Sequence, residues 1–345
     1  MSYPAEVEQE QQGWPSPAAA SAIERPTAAT PARLWARRLA VALTFAVLFT
    51  LIGWRELNPL GFPDLENYRT GFESEWYLFN IQNLGVIDFI LAEGVWVWSF
   101  DALAFYVGDT ETAFGIVSFV SMFLIAWYVA CETRSLFYLP ALINPGFVNL
   151  VLEQLRSGIA TGIFLLAVRA SNLLVCVALC LLASSIHTAF WLLGGVLVAY
   201  RLIRNVPIYQ SLMSRPVMGG VLVVLAGLVI GVLRTAVLAF IGDERAFIQE
   251  QYTSGLLLSL AWMMFAGWFA YNLKNKVRDF EASFLLFCST LAFVSAYQAL
   301  YGSRFFAIGA TMFPVLLYRM PAHLRLITAV AYAVFSAIWF SLWFQ

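Results

Sequence analysis

Long apolar runs recur along this chain from about Leu39 to the C-terminus, and they constrain the fold more than any motif does. A run of about 20 such residues is long enough to cross the hydrocarbon core of a bilayer. Backbone polar groups inside that core must be satisfied internally, so the runs are expected to be helices. Hydrophobic residues make up 61% of the chain and charged residues 12%, with a mean hydropathy of +0.76. We therefore predict an all-α polytopic membrane protein rather than a soluble globular one.

The pattern predicts about eleven transmembrane helices, the first over residues 39–51. The other ten are predicted over 112–130, 135–150, 153–168, 172–186, 187–200, 216–233, 254–272, 281–299, 304–318 and 325–344. Residues 1–32 are rich in Pro, Ala, Gln and Glu and are predicted to be a disordered cytoplasmic tail, followed by a single transmembrane domain over 33–345. Residues 53–109 combine acidic and aromatic residues without a long apolar window. They predict a periplasmic loop with re-entrant or amphipathic helices at the interface.

The distribution of basic residues predicts the orientation. With the N-terminus inside, 14 of the 20 basic residues lie on the cytoplasmic side, as the positive-inside rule expects. The six that remain outside are Arg55, Arg69, Arg156, Arg234, Arg245 and Arg304. No internal repeat is evident, which disfavours the inverted-repeat transporters.

Arg156 and Arg304 stand out among the outer basic residues because each lies where a helix returning inward begins. An ionisable group there is a candidate functional residue. Helix N-termini favour anions, and a guanidinium adds a planar fork of donors that matches phosphate oxygens. The structural alternative is that Arg156 pairs with Glu153, three residues before it, and Arg304 with a loop carboxylate.

Three further residues could move protons at the same face. His187 lies between two apolar runs and could carry a proton, or could equally be a satisfied hydrogen-bonding residue. Asp64, in the first outer loop, is spaced to share a helical face with Tyr68 and Arg69, and Glu93 is a second candidate base. The four cysteines lack CxxC spacing and the chain has two histidines, so no metal centre is predicted.

The order of these motifs resembles that of the EpsG and Wzy-like polysaccharide polymerases. The resemblance rests on Asp64 with Tyr68, Glu93-Gly94-Val95-Trp96, Arg156 with Ala160, His187-Thr188-Ala189, and Arg304 at a late helix start. It covers residues 55 to about 320. One difference is that Ser157 stands where the family usually has glutamine after the arginine, while Gln154 lies two residues before it.

The resemblance implies a membrane glycosyltransferase of the C type in the bacterial inner membrane, with its active site on the periplasmic face. It would join undecaprenyl-diphosphate-linked repeat units, and undecaprenyl diphosphate would leave from the donor chain. No cofactor, metal or nucleic acid would be needed, and a chain-length regulator could be a partner. Asp64, Glu93 and His187 are the expected catalytic residues; Arg156, Arg304, Arg69, Gln154 and Tyr68 are the expected diphosphate-binding residues. A flippase or transporter of lipid-linked sugars, or another membrane glycosyl or acyl transferase, is the alternative.

Overall fold

The computed structural model describes residues 31–58, 61–240, 254–273, 279–297 and 303–344. Within these ranges the regular structure is helical and contains no β-strand, which confirms the all-α prediction for the described residues. The predicted disordered tail lies almost wholly outside them. The helices of the first half are α1 Pro31–Thr50, α2 Trp54–Leu57, α3 Pro63–Glu73, α4 Trp76–Ile81, α5 Val86–Leu91, α6 Gly94–Val107, α7 Thr110–Thr133, α8 Pro145–Leu152 and α9 Leu155–Arg169. Those of the second half are α10 Leu173–Ile186, α11 Ala189–Ile203, α12 Pro207–Met213, α13 Pro216–Phe240, α14 Ser254–Asn272, α15 Phe280–Tyr297, α16 Ser303–Ala310, α17 Phe313–Arg319 and α18 Ala322–Trp343.

The chain divides into two compact units, residues 1–37 and residues 38–345. Of the first unit, the structure describes only the opening residues of α1. The helical core and the candidate site both lie within the second unit.

Three described helices, α7, α15 and α18, are long and apolar enough to cross a membrane. Two bent pairs add up to two more spans: α8 and α9 meet at 100°, and α11 and α12 meet at 110°. The described residues thus form a helical protein with three to five candidate spans, and the count of eleven stays a prediction.

Two predicted spans are not continuous helices. Residues 135–150 form a 3₁₀ helix over Leu136–Leu142 and then α8, while residues 304–318 divide into α16 and α17. Pro140, Pro145 and Pro314 lie in these segments, and a proline removes one backbone donor and clashes with the preceding turn. An apolar run alone does not reveal such breaks.

Helix α15 lies at the centre of the bundle and α18 at its edge. In the most apolar window of each helix, 78% of α15 is buried inside the protein but only 17% of α18. Phe164 of α9 packs against Phe284 of α15, with ring centroids 5.1 Å apart. The two central helices α9 and α15 are therefore held by direct aromatic contact.

Residues 53–109 contain the short helices α2 to α6 and contact α7 through aromatic side chains. Phe100 of α6 lies 4.9 Å from Phe114 of α7 and 4.4 Å from Phe72 of α3, measured between ring centroids. On α5, Val86 and Ile87 remain largely exposed. Apolar side chains presented in this way are compatible with the predicted interfacial helices.

Candidate functional site

Polar and charged side chains from six parts of the chain meet at the N-terminal end of α9. We call this group the polar cluster; it consists of Asp64, Tyr68, Glu93, Glu153, Arg156, His187, Thr188 and Arg304. The structure thereby brings together the three predicted acid or base residues, Asp64, Glu93 and His187. It also places beside them Tyr68 and the two arginines that the sequence predicted at helix starts.

Arg156 lies in the first turn of α9 and is held from two sides. Its Nε donates to the Tyr68 hydroxyl at 3.0 Å, and its guanidinium carbon lies 5.1 Å from the centroid of the Tyr68 ring. Its Nη1 forms an ion pair with the Glu93 carboxylate. The alternative in which Arg156 pairs with Glu153 is wrong, because Glu153 precedes the 100° bend and does not share the α9 face that carries Arg156.

Glu93 is the residue on which most of these contacts converge. Its Oε1 accepts from His187 Nδ1 at 2.8 Å, from the Thr188 backbone N–H at 2.8 Å and from the Thr188 hydroxyl at 3.1 Å. With Arg156 on Oε2, both oxygens are occupied. Burial opposes ionisation of this carboxyl, but the Arg156 charge and the His187 hydrogen bond outweigh it and hold the pKa of Glu93 well below its ordinary value.

The backbone of Glu93 is also constrained. It caps the start of α6 with a φ of 60°, in the left-handed region that non-glycine residues rarely adopt. Such a conformation costs on the order of 1–3 kcal/mol and persists where surrounding contacts determine it. The four donors around its carboxylate provide those contacts.

His187 is buried and faces Glu93 through Nδ1. Burial lowers the pKa of His187 below its ordinary value, and the nearby charges of Arg156 and Arg304 act in the same direction, although the Glu93 carboxylate opposes them. The ring is therefore neutral at neutral pH, and because an ionised Glu93 only accepts, Nδ1 carries the proton.

Arg304 and Asp64 form the second ion pair of the cluster. Arg304 Nη2 donates to Asp64 Oδ2 at 2.7 Å, which joins the first turn of α16 to the first turn of α3. The side chains are 24% and 18% exposed, so an anion from solvent can reach the pair. This is the loop carboxylate that the structural alternative assigned to Arg304.

Glu153 and Gln154 occupy the break between α8 and α9. The Glu153 carboxylate accepts the backbone N–H of Asp64 and lies near the charges of Asp64 and Arg304. Gln154 is buried, and its Oε1 has no hydrogen-bond partner in the described structure. The sequence predicted Glu153 only as a possible ion-pair partner of Arg156. The signal for a further role was that two adjacent polar residues, Glu153 and Gln154, interrupt an apolar stretch.

Arg69 lies outside the polar cluster. Its Nε donates to Glu111 Oε1 at 2.9 Å, and the guanidinium also pairs with Glu66. Consecutive helical residues point about 100° apart, so Asp64 and Tyr68, four residues apart, share a face that Arg69 leaves. The expectation that all three would share one face is wrong for Arg69.

A second charged group lies at the C-terminal ends of α7 and α9, whereas the polar cluster lies at the N-terminal end of α9. Arg319 donates to Glu281 at 2.9 Å and 3.0 Å and lies 3.3 Å from Glu132, and Arg169 lies 3.7 Å from Glu132. A cavity of about 510 Å³ opens beside Arg319 and is also lined by Arg201 and other polar residues. Arg169, Arg201 and Arg319, which are among the basic residues predicted on the cytoplasmic side, thus lie away from Arg156 and Arg304.

The described residues contain no group of three or more His, Cys, Asp or Glu side chains arranged to hold a metal ion. No model of a known protein family, no curated protein and no solved structure matches this chain.

Proposed function

We propose that the protein is a polymerase that joins undecaprenyl-diphosphate-linked oligosaccharide repeat units on the periplasmic face of the bacterial inner membrane. In this proposal the chain has the eleven-helix layout and C-type glycosyltransferase architecture that the sequence predicts. The donor is a growing glycan on the lipid diphosphate, and the acceptor is one repeat unit on the same lipid.

One observation carries the proposal. Arg156 and Arg304, each in the first turn of a helix, lie in one cluster with carboxylates and a histidine, at the end of the bundle away from the other charged group. Transfer of a glycan from a lipid diphosphate needs cations where the negative charge of the leaving group develops. It also needs a proton acceptor near the attacking hydroxyl. The polar cluster supplies both types of group.

The ion pairs of the cluster fit a resting state of such a site. A diphosphate carries more negative charge than a carboxylate and offers several oxygens to a guanidinium fork. It can therefore compete with Glu93 for Arg156 and with Asp64 for Arg304. Tyr68, which contacts Arg156 from the other side, would keep the guanidinium in place during the exchange.

The other cluster residues have supporting roles in this scheme. Glu93 orients His187 and Thr188, because all three of their donors converge on its Oε1. The unpartnered Oε1 of Gln154 can accept a hydrogen bond from a sugar hydroxyl. Neutral His187 carries its proton on Nδ1, so its second nitrogen can accept a hydrogen bond from a substrate hydroxyl.

The test is chain extension by purified protein in nanodiscs, with lipid-linked repeat units extracted from the source cells and no metal or nucleotide sugar added. Wild type should give a ladder of glycan lengths. Arg156→Ala and Arg304→Ala should abolish it while the proteins remain folded, and Arg215→Ala, an exposed arginine between α12 and α13, should keep it. Movement of repeat units across sealed vesicles without a ladder would replace the proposal with a flippase.

A further inference from the structure

We propose that Glu153, in the break between α8 and α9, is the base that takes the proton from the acceptor hydroxyl. This inference rests on the proposed function and adds a catalytic residue to it. The proton acceptors of the polar cluster differ in the groups that already contact each of them.

Two of the three carboxylates in the cluster are occupied by cations. Glu93 accepts from Arg156, His187 and Thr188 on its two oxygens. Asp64 is paired with Arg304 at 2.7 Å. A carboxylate held in this way gives up favourable contacts when it takes a proton, which makes it a weak base.

Glu153 differs from both. It accepts one backbone N–H, that of Asp64, and no Arg, Lys or His nitrogen of the described residues lies within 4.0 Å of its carboxylate. Glu153 is buried, with only 8% of the residue exposed, so water stabilises its negative charge only in part. Of the three acids, Glu153 is therefore the one that no cation of the described residues pairs with, which leaves it open to a substrate hydroxyl.

His187 is less suited to hold the proton. A second proton would make the buried ring a cation in a cluster that already contains Arg156 and Arg304. A proton on Glu153 instead removes a negative charge beside Asp64.

The position of Glu153 also suits an acceptor near the leaving group. It lies three residues before Arg156, the expected diphosphate ligand, and directly before Gln154, whose buried Oε1 has no partner in the described structure. The break between α8 and α9 thus offers a base and a hydroxyl-binding amide next to an anion clamp.

In the proposed step, one bond to the anomeric carbon forms as another breaks. The acceptor hydroxyl oxygen forms a bond to the anomeric carbon of the donor while the bond from that carbon to the diphosphate oxygen breaks. The electron pair of the broken bond leaves with the lipid diphosphate, which Arg156 and Arg304 receive as an anion. The hydroxyl proton passes to a Glu153 oxygen and is later lost to water.

The main structural alternative is that Glu153 only anchors the start of α3 by accepting the Asp64 N–H. Glu153→Gln separates the two roles, because its amide oxygen still accepts that N–H but no longer takes a proton. We expect Glu153→Gln to lower kcat for chain extension about 10²- to 10⁴-fold, the usual contribution of general base catalysis. KM and the unfolding temperature should stay close to wild type, and Glu66→Gln on the exposed face of α3 should extend chains normally.

A second variant covers the case in which Glu153→Gln is unstable. In Glu153→Ala, added sodium formate should restore extension in a concentration-dependent manner, whereas sodium chloride should not. Extension by Glu153→Gln at the wild-type rate, or a folded Glu153→Ala that formate leaves inactive, would overturn the role of Glu153. Absence of a ladder from wild type in the same assay would instead reject the proposed function itself.

Discussion

The Arg304 guanidinium donates to the Asp64 carboxylate at 2.7 Å across a sequence separation of 240 residues. The pair joins α3, which precedes α7 in the chain, to α16, in the last fifth of the sequence. Both partners lie in the first turn of their helices and are partly exposed. Asp64 is therefore a structural partner of Arg304, and it also competes with any anion that binds Arg304.

This competition predicts opposite effects of substitutions at the two positions on anion binding. Asp64→Asn should make inorganic pyrophosphate bind several-fold more tightly, because Arg304 loses its carboxylate partner but keeps its charge. Arg304→Gln should weaken the same binding by about tenfold or more, which corresponds to the loss of one charge-assisted hydrogen bond. Isothermal titration calorimetry in detergent measures both, with Glu66→Gln as the control. Equal weakening by both variants would contradict the competition.

The Arg156–Glu93 pair should be strongly coupled because the Glu93 side chain is buried, at 8% exposed, and that of Arg156 is 25% exposed. Removing one partner of a buried pair typically costs about 3–5 kcal/mol, since it leaves the other charge uncompensated. Arg156→Met and Glu93→Gln should each destabilise the protein on that scale. The double variant should cost less than the sum, with a coupling energy of about 1–3 kcal/mol.

The measurement for this pair is a double-mutant cycle of unfolding free energies in detergent. Arg69→Ala with Glu111→Gln gives the matched cycle for an ion pair whose side chains are 33% and 39% exposed. Its coupling should stay below about 1 kcal/mol. Similar coupling in the two cycles would show that the Arg156–Glu93 pair is no more than a surface contact.

Two groups of the polar cluster, His187 and Glu93, should each contribute less to stability in acid. Burial lowers the pKa of His187 below its ordinary 6.5, so between these two values the unfolded chain binds the proton more readily and stability falls as pH drops. Glu93 acts in the same direction at lower pH: its pKa lies below its ordinary 4.5, so its contribution is full above 4.5 and is lost as pH falls towards the folded-state value.

Thermal unfolding between pH 7.5 and pH 4.5 tests this dependence. The contribution of His187 should fall below about pH 6.5, so His187→Gln should gain stability relative to wild type as pH drops from 6.5 to 5. His323→Gln replaces the other histidine, which is exposed at the start of α18, and should keep the wild-type profile. A wild-type profile in His187→Gln would assign the acid sensitivity to other groups.

Part of this architecture could be predicted from the sequence because it depends on the average hydrophobicity and charge of long segments. Apolar runs predict helices wherever they occur, and the positive-inside rule places Arg156 and Arg304 at one end before any contact is known. The alternation of inside and outside segments predicts that Asp64, Glu93 and His187 lie at the same end. The described structure agrees with that placement.

The remainder depends on local geometry that composition does not encode. Arg156 pairs with Glu93 rather than Glu153 because the chain breaks between α8 and α9, and neither the break nor its 100° angle is visible in an apolar run. Arg69 directly follows Tyr68, and consecutive residues of a helix point about 100° apart, so the two side chains do not share a face. The number of spans is uncertain from sequence for the same reason, since prolines divide runs such as 304–318.

The approach of α9 to α8 predicts that Gly158 tolerates no larger residue. A Cβ at Gly158 would lie 2.6 Å from the Leu150 carbonyl oxygen, a backbone atom that cannot move without shifting α8. Gly158→Ala should therefore cost about 1–3 kcal/mol, as overpacking usually does, and should also impair chain extension because Arg156 and the α8–α9 break move with the helix. Gly195→Ala is the matched control, since a Cβ there meets nothing within 4 Å. It should leave stability unchanged or raise it by up to about 1 kcal/mol, the helix-propensity gain of alanine over glycine. Unfolding temperatures of both variants in the same detergent decide the point, and equal stability would mean that α8 and α9 separate without cost.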